Sequence, residues 1–278
     1  MRRVIYVLLA FALAPSAFAD DLSWLTGPQA SNVPVVNGWA GIYIGGQVSY
    51  SNAGGDFSKT TQAPLAYVLR DLTLESEQQP SSWPVLGQAN HSATGFGGFA
   101  GYNTQFERLV LGVEANYDQA NLSLIAPNSP ISRRTSAGGN TYDVSITGSG
   151  SVTDLNFGTL RARAGWALGN FLPYGFAGLA VGHANVNISA TVFGQENPQN
   201  QPCTPSGPAT PTCVPFSFTG TAGKSGEWMY GVTVGGGLDV ALTRNVFLRA
   251  EYEYVQFAAI ANLVVQVNTV RGGLGVKF

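Results

Sequence analysis

The chain has 278 residues with 14 Lys+Arg against 16 Asp+Glu, a formal net charge of −2 that leaves no basic footprint for nucleic acid. Charged residues make up 11% and mean hydropathy is +0.08, between the values of soluble domains and helical membrane proteins, as arises when alternate strand residues face lipid. The 35 glycines weigh against helices, where each costs about 1 kcal/mol relative to Ala.

Arg2 and Arg3 precede an apolar run from Val4 to Ala14, and Ala17-Phe-Ala19 supplies a small-x-small cleavage site. Residues 1–19 read as a secretory signal peptide, because the run is too short to span a bilayer. A lead segment, residues 20–37, then precedes a single domain expected over residues 38–278.

Eight segments alternate with period two, the mark of strands with one oily and one small or polar face. The first, 40–50, sets Ile42, Ile44, Val48 and Tyr50 against Gly41, Tyr43, Gly45, Gln47 and Ser49. The second is 94–103, and the third, 109–122, opposes Leu111, Val113 and Tyr117 to Gly112, Glu114, Asn116 and Asp118. The fourth, 154–168, opposes Leu160, Ala162, Ala164 and Trp166 to Thr159, Arg161, Arg163 and Gly165. The fifth, 171–188, has small and apolar residues on both parities, and its facing stays open. In the sixth, Trp228, Tyr230, Val232 and Leu238 oppose Gly231, Thr233, Gly235, Gly237 and Asp239. In the seventh, Val246, Leu248, Tyr252 and Tyr254 oppose Arg249, Glu251 and Glu253. The last runs to the final residue, with Val270, Leu274, Val276 and Phe278 opposite Thr269, Arg271, Gly273, Gly275 and Lys277.

Tight turns near 105–107, 169–170 and 243–245 alternate with longer links at 51–93, 123–152, 189–225 and 257–263. Short turns on one rim and long loops on the other fit an outer-membrane barrel. Hydrocarbon leaves a free sheet edge unsatisfied, so closure is required. The expected fold is all-β, an eight-stranded antiparallel up-and-down transmembrane β-barrel with short periplasmic turns and long extracellular loops. Tyr50, Tyr117, Trp228, Tyr230 and Tyr254 fall toward the loop side and Tyr102, Trp166 and Phe278 toward the turn side, all on the outward parity, making two aromatic girdles. Trp39 breaks the rule, since continued alternation turns it inward. A soluble lipocalin-type barrel, with the aliphatic parity inward, is the competing architecture.

Trp39-Ala-Gly-Ile-Tyr-Ile-Gly-Gly46, Gly97-Gly-Phe-Ala-Gly-Tyr-Asn103, Leu109-Val-Leu-Gly-Val-Glu-Ala115, Phe157-Gly-Thr-Leu-Arg-Ala-Arg-Ala-Gly165, Ala250-Glu-Tyr-Glu-Tyr254 and Val270-Arg-Gly-Gly-Leu-Gly-Val-Lys-Phe278 together touch most strands. In these stretches the chain resembles the small outer-membrane β-barrel proteins of the porin-like, OmpA-membrane-domain-like group, surface antigens of Gram-negative bacteria. The resemblance implies residence in the cell outer membrane and contact with outer-membrane lipids including lipopolysaccharide. It also implies recognition by barrel-assembly machinery through the C-terminal strand, with Phe278 as assembly signal. It does not establish conduction, because eight strands enclose a lumen that side chains can fill.

The inward parity collects Glu114, Arg161, Arg163, Asp239, Arg249, Glu251, Glu253, Arg271 and Lys277, charges that must pair or meet water in a narrow lumen. A polar plug holding strand register is the favoured reading, and a narrow ion path lined by the same ring is the alternative. Cys203 and Cys213, the chain's two cysteines, sit in a Pro/Gly-rich link in an exported protein and favour a loop disulfide; without neighbouring His they make no complete zinc set. His91 and His183 are the chain's two histidines, and no carboxylate is evidently placed to orient either. Gly235-Gly-Gly237 lacks a following helix to cradle phosphate. No catalytic, metal or cofactor site emerges, and haem capture would rest on the two histidines alone. Ala66-Tyr-Val-Leu-Arg70 and Tyr142-Asp-Val-Ser-Ile146 are expected to extend hairpins beyond the membrane. The Ser, Thr, Asn, Gly and Pro-rich long loops are the expected place for extracellular ligands. The function expected is a non-enzymatic envelope-structural and surface-interaction role, then a narrow channel for ions or small solutes, and third a lipid-modifying enzyme.

Overall fold

A sheet with one oily face has no stable edge in hydrocarbon. The computed structural model, which describes residues 38–197, 213–259 and 262–278, closes it. Its strands are β1 (Gly41–Asp56), β2 (Gln88–Phe106), β3 (Leu109–Ile125), β4 (Ile131–Ala137), β5 (Asn140–Trp166), β6 (Phe171–Asn197), β7 (Val214–Ala241), β8 (Val246–Phe257) and β9 (Val265–Lys277). Neighbours pair antiparallel, β3 passes β4 to pair with β5, and β9 returns to β1, so the barrel has eight strands. β4 is additional, pairing only along the outer stretch of β5. The proposed signal peptide, residues 1–19, and the lead segment, 20–37, lie outside the described residues.

The aliphatic parity faces out: Ile42, Val48, Leu160, Leu179 and Val232 are exposed, as are Tyr50, Tyr117, Trp228 and Tyr230 toward one end and Tyr102, Trp166 and Phe278 toward the other. On β6, whose facing its alternation leaves open, the odd-numbered residues point outward from Phe171 to Gln195. Trp39 is buried under the lumen, edge-on to Phe247 at 6.3 Å between ring centroids, and so belongs to the interior. The β2–β3 turn places Glu107 at φ 54, and Gly169 at φ +62 serves the β5–β6 turn, where a backbone reversal in so few residues needs the left-handed region.

Two expectations about the long links change. β5, β6 and β7 run for 27, 27 and 28 residues, where a tilted strand needs about 9–11 to cross the hydrocarbon. More than half of each strand therefore stands beyond the membrane, including the stretch Tyr142–Ile146 expected there. Register shifts interrupt β5 between Thr153 and Asn156, with Asp154 at φ 57, and β7 between Lys224 and Glu227. Each inserts a residue that reverses which parity faces out, so on β5 the outward residues are even-numbered below the bulge and odd-numbered above it.

The second change is at Ala66–Arg70, which is no strand. Residues Gln62–Leu69 form helix α1, followed by α2 (Thr73–Gln78) and a 3-10 turn (Pro80–Ser82). Leu65 and Leu69, one helical turn apart, insert into an apolar core with Phe57, Leu124, Ile146 and Ile188. Helix won because burying one face at i and i+4 needs that period, and Pro64 is tolerated in a first turn. The first long link is thus a folded lid seated in the outer mouth.

Inward glycines make room for lumen rings. A Cβ on Gly45 would lie 2.2 Å from Phe99 Cζ and 2.5 Å from the Leu274 carbonyl oxygen, while one on outward Gly46 would meet nothing within 4 Å. Gly45→Val is expected to lower the urea midpoint of the folded barrel, at a cost of about 3 kcal/mol, and Gly46→Val to leave it unchanged. Equal midpoints for the two variants would contradict this placement.

Candidate functional site in the barrel lumen

Strand register determines which inward charges meet. Glu114 of β3 lies opposite Arg161 of β5, Asp239 of β7 opposite Arg249 of β8, and Glu251 of β8 opposite Arg271 of β9. Side chains long enough to cross the lumen then join the pairs. Arg161 bonds Glu114 and reaches Glu251 at 2.6 Å and Glu253 at 3.2 Å. Arg163 meets Asp239 at 2.7 Å and Glu114 at 3.2 Å, and Arg249 meets both at 2.8 Å. Arg271 bonds Glu253, lies 2.9 Å from Asp118 and 3.4 Å from Glu251.

Five carboxylates (Glu114, Asp118, Asp239, Glu251, Glu253) thus face four guanidiniums (Arg161, Arg163, Arg249, Arg271), all buried. Neutral donors serve the surplus acceptor capacity: Tyr43 Oη donates to Glu114 at 2.6 Å, Tyr174 Oη to Glu251 at 2.7 Å, Thr233 Oγ1 to Glu253 at 2.7 Å and Gln47 Nε2 to Asp118 at 3.2 Å. Rings cover the guanidinium faces, with Arg161 4.0 Å from the Phe176 centroid, Arg163 3.7 Å from Tyr174 and Arg249 4.0 Å from Phe99. Glycines stand opposite the largest of these side chains, Gly178 across from Arg161 and Gly112 across from Arg163.

The charged layer lies between two apolar ones. On the turn side, Trp39, Tyr43, Phe99, Leu172, Tyr174 and Phe247 pack together with Phe176. On the loop side the core built around Phe57, Leu65, Leu155, Phe157 and Phe257 fills the lumen beneath the lid.

Eight of the nine residues expected in the charge network come together. Lys277 does not. Its ammonium donates to the Gly38 carbonyl at the turn-side rim, because it lies opposite Tyr43 at the end of β9, below the level of the ring. Asp118, placed on the inward face by its parity but left out of the expected network, takes part through Arg271. Phe278 presents an exposed ring at the same rim, its backbone N–H donating to the Ile42 carbonyl at 2.9 Å. The expected disulfide partner Cys203 lies outside the described residues. His91 Nδ1 accepts from the Ser123 N–H at 3.4 Å on the outer wall, and His183 stands on the outer face of β6 edge-on to Trp228 at 5.2 Å, so the two histidines sit on separated strands. Among the described residues no cluster of three or more His, Cys, Asp or Glu has the arrangement to hold a metal ion.

A family model described as outer membrane protein beta-barrel domain matches residues 6–278. The 31 kDa outer-membrane immunogenic protein of Brucella melitensis biotype 1 is 29% identical, covering 100% of both chains. The 22 kDa outer membrane protein of Rhizobium leguminosarum bv. viciae is 26% identical over 90% of this chain and 83% of its own. Among solved structures, Neisserial surface protein A covers 86% of this chain and 98% of its own at 15% identity and a TM-score of 0.39.

Proposed function

The chain belongs to the outer membrane protein beta-barrel domain family and resides in the cell outer membrane of a Gram-negative bacterium, and from that premise we propose that it acts as a closed, non-conducting barrel with an envelope-structural and surface-interaction role. One observation carries the reading: the lumen is filled along its height by an aromatic plug, a paired charge layer and an apolar core under a lid. A conducting pore needs hydrated side chains along its path, whereas the ring charges here are buried and held by one another and by neutral donors such as Tyr43 and Tyr174. The lid and the tall β5–β7 wall give the outside a folded surface, which suits lasting contact with a partner. The name carried by the Brucella relative, an outer-membrane immunogenic protein, supports display on the outside.

Reconstitution of the full chain into planar bilayers tests the reading. No unitary steps are expected. Stable steps whose size changes on replacing Glu114 and Glu251 with Gln would instead assign the lumen to an ion path lined by the ring.

A further inference from the structure

Above the bulges, the outward faces of β5 to β7, joined there by β4, change chemistry within one or two residues. Below them the same strands show lipid Leu160, Leu179, Val181, Trp228, Tyr230 and Val232. Above them the outward positions form cross-strand rows of hydroxyls, one of Thr147, Thr191 and Thr219 and the next of Ser145, Phe193 and Ser217. The Thr191 and Thr219 hydroxyls bond each other at 2.9 Å, and those of Ser132 and Ser145 at 2.8 Å, so neighbouring strands hold the array in register. At the bulge itself Asp154 accepts from Asn185 at 3.0 Å, and higher on this face Arg134 pairs with Asp143 at 2.7 Å. Phe193 is 41% exposed in the midst of these hydroxyls. The opposite face of the sheet is fully buried at Val144, Ile146, Ile188 and Val192, so the array is rigidly backed.

A neutral array of donors and acceptors around one exposed ring has a definite complement. Acyl chains would strand its hydroxyls, and among the side chains described on this face phosphate would meet Arg134, already paired with Asp143. A pyranose satisfies both parts, its hydroxyl groups bonding Ser and Thr while its axial C–H face lies on the aromatic ring. The direction of the face identifies the source. It looks sideways from the wall rather than outward from the tip, and it continues the lipid-contacting surface on the same strands. The molecule beside it is therefore an outer-leaflet lipid, and the part of that lipid at this height is its sugar. We propose that the outer face of β4–β7 above the bulges binds the oligosaccharide of the glycolipid in which the barrel sits. The proposal rests on the outer-membrane orientation and deepens the surface-interaction role.

The test measures binding of the full, detergent-folded chain to lipopolysaccharide carrying its core sugars and to the lipid A portion alone. Core-bearing lipid is expected to bind about tenfold more tightly. The Thr191→Ala, Phe193→Ala, Thr219→Ala triple variant, with folding checked by the heat-dependent gel shift, is expected to lose that preference. Equal binding of the two probes by the unaltered protein overturns the proposal whatever the variant does, as does a folded triple variant that keeps the preference. A stronger affinity for unrelated soluble glycans would assign the face to another source and overturn it too. Bilayer conductance would overturn the closed-lumen reading while leaving this result standing, so the two failures are distinguishable.

Discussion

Arg161→Met is expected to lower the stability of the folded barrel by about 3–5 kcal/mol, the cost of removing one partner from a buried ion pair and leaving the other uncompensated. Arg161 contacts Glu114, Glu251 and Glu253 at once, so its loss leaves five buried carboxylates facing three guanidiniums. The aromatic cluster on one side and the apolar core beneath the lid on the other flank the site, so little solvent is at hand to compensate them. Urea titration of the vesicle-inserted protein, followed by tryptophan fluorescence, reads the shift in midpoint. Adding Glu114→Gln should recover part of the loss, because it removes one of the stranded charges. Lys277→Met is the internal control, since among the described residues that ammonium bonds the rim carbonyl of Gly38 and no carboxylate, and it should cost far less. A midpoint for Arg161→Met equal to that of Lys277→Met would remove the network from any role in holding the barrel.

Unseating the lid is the second large effect. Leu65 and Leu69 are fully buried, and truncating each to Ala costs about 2–5 kcal/mol through lost burial and the cavity left behind. The two share a core, so their effects will not add simply. Strand pairing around the barrel does not depend on α1, because the pairs that close it run between β1 and β9 and between β3 and β5. The Leu65→Ala, Leu69→Ala double variant should therefore open locally. Protease cleavage is expected within residues 57–87, while the barrel keeps its heat-dependent gel shift. Resistance to cleavage equal to that of the unaltered chain would show that the helix contributes little to its seat, and loss of the gel shift would show that lid and barrel unfold as one unit.

Period two assigns a side, and in lipid that assignment is enforced twice, by the cost of burying a charge in hydrocarbon and by the requirement for closure. Glu114, Arg161, Arg249 and Glu251 are therefore legible as inward residues in the bare sequence. Parity says nothing about height. Whether two inward charges meet depends on the stagger between strands, and so Asp118 reaches Arg271 while Lys277, on the same parity as Arg271, ends at the rim.

The outer half of the molecule was less legible for a related reason. A bulge at Asp154 and another before Glu227 reverse the alternation in mid-strand, so the hydroxyl-rich stretches of β5 and β7 resemble loop composition when read by a single phase. The segment Ala66–Arg70 carries apolar residues that suit either period, and only the core waiting inside the mouth selected a helix. The closed eight-stranded barrel, its oily exterior and its charged interior are written in the order of residues along the chain, because the lumen on one side and lipid on the other act on each residue locally. The partners within the ring, the height of the extracellular wall and the lid that fills its mouth emerge only on folding, because they depend on strand stagger, inserted residues and contacts between segments far apart in the chain.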